Sequence, residues 1–126
     1  MIIVKIGGGK NINWNYIAED IVNITQKLVI VHGANAWMKE TAEKLGVPER
    51  IILSPSGHTS RYTDEATMEV LTMVYDGLIN KKIVACLQKY GVIAVGLSGA
   101  DGKLWLGTKK DAILSKEGDK IKLVSD

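Results

Sequence analysis

A lysine followed by a run of three glycines, Lys5-Ile6-Gly7-Gly8-Gly9, closes the first apolar stretch of this 126-residue chain. Small residues at such a bend let the backbone approach an anion, and a helix starting just after it would favour the negative charge through its N-terminal amides. A lysine ammonium at the same mouth could neutralise charge on a moving phosphoryl group, in chemistry carried mainly by positioning and electrostatics. Taken alone, the turn is equally a glycine bend chosen for close strand-to-helix packing, with Lys5 reaching out to water. His32-Gly33-Ala34 ends the second apolar run and is a second bend whose amides could hold a carboxylate or phosphate oxygen, the imidazole itself being structural. Arg61 stands in a polar loop immediately before a helix, where a guanidinium fork suits bidentate recognition of a substrate carboxylate; a solvated surface arginine is the alternative.

Other chemistries find less support. The dinucleotide fingerprint needs glycine where Ile12 stands, and no phosphate-binding loop of the G-x-x-x-x-G-K-[ST] form occurs. Gly96-Leu97-Ser98-Gly99-Ala100 comes close to a hydrolase nucleophile elbow, yet neither histidine lies downstream, so Ser98 reads as a turn residue. His32 and His58 share no element with carboxylates at ligand spacing, and no metal site is expected. Cys86 is the only cysteine, which excludes an internal disulfide and fits a reducing, cytoplasmic setting. Cys86 and the methionines fall on apolar helical positions and are expected to fill core. Sixteen basic against 14 acidic residues give a net charge of +2, without the clustered basic face of a nucleic-acid binder. No apolar run approaches the roughly 20 residues of a membrane-spanning helix.

The elements that must position these residues alternate between short apolar runs and longer mixed segments, the signature of an α/β fold with a parallel sheet flanked by helices. Strands are predicted at Ile2–Ile6, Lys27–Val31 and Ile51–Leu53, and at Val92–Leu97, which is apolar on both faces like a central parallel strand. Helices are predicted from Asn15 to about Asn23, capped by Asn13 or Asn15, and from Ala36 to Leu45, stopped by Gly46 and Pro48. Residues 54–62 have turn chemistry and form an exposed loop or hairpin. Thr63-Asp64-Glu65 starts a helix running to Tyr75, with Met68, Leu71 and Tyr75 on one apolar lobe and Ala66, Val70, Met73 and Val74 on another. Two lobes ask for two partners, and pairing of two copies of the chain through helix 64–75 is expected. Another helix, Asn80 to Tyr90, ends at Gly91, and Lys103–Lys109, Ala112–Ser115 and Lys120–Val124 read as antiparallel strands, the last two joined at Gly118-Asp119.

Val4-Lys5-Ile6-Gly7-Gly8, Val31-His32-Gly33, Ser60-Arg61-Tyr62-Thr63-Asp64, Asn80-Lys81 and Ala94-Val95-Gly96-Leu97-Ser98-Gly99 occur in the order that resembles the acetylglutamate kinase type of the amino acid kinase family. The resemblance covers nearly the whole chain. It implies phosphorylation of a side-chain carboxylate by ATP with Mg2+. By position, Lys5 resembles the family's transition-state lysine, Gly7 and Gly8 its glycine turn near the transferred phosphoryl, Gly33 and Ala34 its substrate-binding turn, and Arg61 its α-carboxylate grip. Ser54-Pro55-Ser56-Gly57 ahead of Arg61 is more similar to the branch acting on 2-aminoadipate or glutamate borne by an amino-group carrier protein, in lysine and arginine biosynthesis; plain N-acetyl-L-glutamate is the alternative substrate. Ala34 departs from the usual His-Gly-Gly, and a Cβ there would cost on the order of 1 kcal/mol if the backbone needed φ above zero. Family members are about twice as long, so residues 1–126 are expected to form the acyl-amino-acid domain, without the ATP-binding domain or a site for the nucleotide base, and to be inactive alone. A non-catalytic α/β small-molecule-binding or dimerisation module is the competing reading.

Overall fold

A computed structural model describes residues 1–108, 112–117 and 120–125. β1 (Ile2–Ile6) and β2 (Leu28–His32) pair in parallel, from Ile2 opposite Leu28 to Ile6 opposite His32. The crossover between them passes through α1 (Trp14–Ile21), whose N-cap Asn13 accepts a hydrogen bond from the Asn15 amide at 3.0 Å. Burial alternates along both strands, as the two-residue period of a strand requires. Leu28 and Ile30 pack on the helices, whereas Ile3, Lys5, Val29 and Val31 lie on an exposed face.

α2 (Asn35–Lys44) and the later helix ending at Lys89 both stop on the same device. Gly46 and Gly91 take φ of +72° and +83°. Their amides return to Glu43 and Gln88, and the next amides, of Val47 and Val92, return to Ala42 and Leu87, which satisfies the last helical carbonyls. Between the two helices, β3 (Arg50–Leu53) and β4 (Thr59–Tyr62) form an antiparallel hairpin. Its turn is closed by Ser54, whose amide donates to the His58 carbonyl at 2.8 Å and whose hydroxyl accepts from the His58 amide at 3.0 Å. Arg61 therefore stands in a strand and is largely covered, not in an exposed loop.

α3 (Glu65–Thr72) is capped by Asp64, which accepts from the Thr67 amide at 2.9 Å. It does not end at Tyr75. The backbone stays in the right-handed helical region through a π segment (Met73–Ile79) and into α4 (Asn80–Lys89), so one helix replaces the two expected. Gly77 lies inside the wider turn and interrupts nothing, its helical cost of about 1 kcal/mol being offset by the burial of Val74 and Ile79 on either side.

The core gathers Ala18, Met38 and Ala42 with Val70, Val74, Ile83 and Leu87. Here the two-lobe expectation for α3 needs correcting: Val70, Val74 and Thr67 are buried, Leu71 and Tyr75 pack at the margin, and Ala66, Met68 and Met73 are exposed. The methionines accordingly divide, with Met38 wholly buried while Met68 and Met73 face outward. Val92–Leu97 does not form the expected strand and has no ladder partner among the described residues. Val92 and Ala94 rest on the core, while Ile93 and Val95 are almost fully exposed, so its second face lacks the cover that its apolar sequence anticipates. Residues 101–103 form a 3-10 turn and 104–108 are not strand, which removes the strand expected from Lys103; Lys109 lies outside the described residues. β5 (Ala112–Glu117) and β6 (Lys120–Ser125) pair antiparallel as anticipated, with the predicted Gly118-Asp119 joint outside the described residues.

The contrast between the methionines sets a prediction. Met38→Ala should cost about 2–5 kcal/mol in urea unfolding, the range for emptying a packed site. At concentrations where the chain is monomeric, Met68→Ala should stay within about 0.5 kcal/mol, as exposed substitutions do.

Candidate functional site

The two glycine bends meet. β1 extends by one bond beyond its ladder, the Gly33 amide donating to the Ile6 carbonyl at 3.1 Å, and the Ala36 amide in the first turn of α2 donates to the Gly8 carbonyl at 3.1 Å. A Cβ on Gly8 would sit 2.5 Å from both the Ala34 and Asn35 nitrogens, and one on Gly33 would sit 2.9 Å from the Gly8 nitrogen. Only glycine allows this approach. The Ala34 and Asn35 amides open α2, have no hydrogen-bond acceptor among the described residues, and look onto the space that a side chain at Gly8 would fill. Two N–H groups at a helix N-terminus, beside a bare backbone, can hold an anionic oxygen.

Ala34 itself has φ −146°, ψ 21°, and its side chain is completely buried in the core. The expected penalty for replacing glycine therefore does not arise, because φ is negative and the methyl points away from the bend. Gly7 is less constrained, with an added Cβ 3.7 Å from the end of Ile12.

The glycine loop is tied to α2 from its far end. Lys10 pairs with Glu40, which also accepts from Lys44 at 2.5 Å, and the Lys10 ammonium lies 5.1 Å from the Trp37 ring centroid. Hydrogen bonds from Lys10 and then Lys44 hold the Glu40 carboxyl down at about 2, well below its ordinary 4.5.

Arg61 joins the same edge through residues that carry no motif. One of its Nη atoms donates to Asn35 Oδ1 at 2.6 Å, and its Nε donates to Glu49 at 2.8 Å in an ion pair that leaves both side chains less than a fifth exposed. Asn35 and Glu49 were not among the residues singled out from sequence. Asn35 is the residue after the second bend, and Glu49 becomes Arg61's neighbour once Ile51 stands opposite Arg61, because i and i+2 share a face of a strand.

Lys5 is the one expected site residue that these contacts do not gather. It lies on the exposed sheet face with Val31 opposite and makes no hydrogen bond among the described residues. Ser98 is a turn residue: its amide and hydroxyl both donate to Asp101, at 2.6 and 2.9 Å, and those bonds hold the Asp101 carboxyl below its usual range. Among the described residues no group of His, Cys, Asp and Glu side chains could hold a metal ion, and no helix is long and apolar enough to cross a membrane.

A family model for the amino acid kinase family matches residues 1–125. The chain belongs to the amino acid kinase family. Within it, the chain is 44% identical to the LysW-aminoadipate kinase of Thermus thermophilus over 126 residues, 98% of this chain and 47% of that protein. It is also 44% identical to the LysW-aminoadipate kinase of Deinococcus radiodurans, and 39% identical to the LysW-aminoadipate/LysW-glutamate kinase of Metallosphaera sedula, covering 98% and 90% of this chain and 44% of each relative. This amino acid kinase chain thus spans less than half the length of the curated relatives it matches.

The Glu40 tether titrates in a defined window. Its depressed carboxyl contributes stability above about 4.5 that is lost as pH falls toward about 2. Carboxyl 13C NMR should place the Glu40 midpoint near 2, and Lys10→Met should move it up toward 4.5. A wild-type midpoint near 4.5 would contradict the tether.

Proposed function

We propose that this chain is the substrate-binding portion of an ATP-dependent kinase that phosphorylates the side-chain carboxylate of N-blocked 2-aminoadipate or glutamate. The observation that carries the reading is the meeting of Gly8 with the Ala34 and Asn35 amides, with Arg61 tied to the same Asn35. In this reading the two amides hold an oxygen of the reacting carboxylate, and the Gly7-Gly8 backbone lies along the phosphoryl group being moved. Lys5, on the exposed end of β1 two residues before Gly7, balances the charge that develops there. Arg61 grips the α-carboxylate, with Glu49 and Asn35 fixing the plane of its guanidinium before the ligand arrives. ATP with Mg2+ would supply the phosphoryl group and the countercharge, the bends around Gly8 being the part of this chain that fits its phosphates. The reading assigns the nucleotide base and the remaining catalytic groups to the part of the relatives that this chain does not match, since it covers 47% and 44% of two of them, and it expects residues 1–126 to be inactive when assayed alone.

The names of the relatives support an aminoadipate or glutamate substrate borne on LysW; in this proposal LysW is an amino-group carrier protein, and the reaction serves lysine and arginine biosynthesis in the cytoplasm. Free N-acetyl-L-glutamate is the alternative acceptor. Isothermal calorimetry of this chain with N-acetylglutamate and N-acetyl-2-aminoadipate tests the reading. Arg61→Ala should weaken binding by at least about tenfold, the loss of a charge-assisted carboxylate contact. Absence of heat with both ligands would remove the substrate role from these residues.

Self-association through helix 64–75 belongs to the same proposal. Met68 and Met73, 50% and 57% exposed, border an open groove with Tyr62, Thr63, Glu65, Glu69 and Thr72. A Met68→Lys/Met73→Lys double variant should sediment as monomer where the parent chain sediments as dimer; identical profiles would reject this face as the interface.

A further inference from the structure

Asn80 is buried at 6% exposure, where the π segment passes into α4. We infer that it is a positioning residue for the second bend: it fixes the tautomer of His32, and through His32 the direction of the Ala34 amide. The amide orientation of Asn80 follows from its neighbours. The Lys81 ammonium lies 3.1 Å from one end of the Asn80 side chain and 3.1 Å from the Gly96 carbonyl. An ammonium only donates, so the end it meets is Oδ1. The other end is the donor Nδ2, and it faces two atoms, the Leu97 carbonyl and His32 Nε2, each at 3.3 Å. An NH2 group cannot accept, so His32 Nε2 carries no proton, and the neutral ring holds its proton on Nδ1.

His32 Nδ1 faces the Gly33 carbonyl at 3.5 Å. The Gly33 amide is already committed to Ile6. The 33–34 peptide is trans, so its carbonyl and N–H point opposite ways. With the carbonyl drawn toward His32, the Ala34 N–H is turned away from the ring, and it lies beside Gly8. Gly96 follows from the same network. Its φ is not in the left-handed region, yet a Cβ there would overlap Asn80 Oδ1 and approach the Asn80 Cγ to 2.8 Å, so glycine is required to admit Asn80. No buried side-chain polar atom among the described residues lacks a partner, which leaves the network without slack for an amide flip.

The effect on ligand binding rests on the substrate role proposed for the Ala34 amide, whereas the tautomer does not. Both are read on the 15N-labelled chain. Two-bond 1H–15N spectra with the imidazoles neutral, assigned with a His58→Gln variant, should show His32 protonated at Nδ1 and bare at Nε2. Asn80→Asp keeps the shape but offers Nε2 only an acceptor, so the ring should carry its proton on Nε2. The Ala34 amide resonance should then shift, and calorimetric affinity for N-acetylglutamate or N-acetyl-2-aminoadipate should fall on the order of tenfold. Should that variant fail to fold, Asn80→Ala removes the donor that faces Nε2 and should give a mixture of tautomers. An Nε2–H ring in the parent chain, an unchanged tautomer in the variants, or a switched tautomer with the Ala34 resonance unmoved would each overturn the inference. A switched tautomer with a shifted Ala34 resonance, in a parent chain that binds neither ligand, supports the inference and defeats the substrate reading instead.

Discussion

The site depends on one distance of approach. Gly8 comes so near the start of α2 that any side chain would collide with the Ala34 and Asn35 nitrogens. Because the Gly8 carbonyl is also taken by the Ala36 amide, the loop and the helix N-terminus are held as one unit. The parallel pair of β1 and β2 makes this possible: adjacent strands running the same way deliver their bends to the same edge of the sheet. In open α/β sheets, the crevice beyond the carboxyl ends of the strands is where ligands settle. Here the crevice is formed by backbone, with Lys10, Arg61 and Asn80 acting as braces around it.

Those braces explain why so little of the polar network is free to rearrange. Arg61 is ion-paired in the chain itself, which, in the carboxylate-gripping role proposed for it, would lower the entropy lost when its fork meets a ligand. The same pairing sets a competition, since Glu49 shares the guanidinium with any incoming anion. The balance is favourable only when the ligand adds a contact instead of replacing one, and Nη1 makes no hydrogen bond among the described residues.

Much of this was legible in the residues, for reasons that are local. The Asn13 and Asp64 caps, the stops at Gly46 and Gly91, and the turn of the β3–β4 hairpin each depend on a side chain or a φ value that a few neighbouring residues dictate. The parallel α/β class came through in the alternation of short apolar runs with longer mixed segments. What was not legible depends on distant partners. Val92–Leu97 has a strand's composition, but a ladder needs a second chain segment at hydrogen-bonding distance, which composition cannot supply. Gly77 should end a helix on propensity, and burial of its neighbours overrides that. Ala34 invited a steric argument from its position in a motif, and only its negative φ and its complete burial in the core remove it. Asn80 carried a resemblance but no mechanism until His32, Lys81 and Gly96 were found around it.

The buried core and everything packed on it come from the stretch between Trp14 and Ala94, while the hairpin of β5 and β6 rests against β3 at the margin. On the ribosome, the chain can therefore consolidate its first hydrophobic nucleus as soon as residue 94 has cleared the exit tunnel, ahead of anything that follows. The glycine bends would already be locked at that moment, and later segments would arrive onto a finished sheet edge.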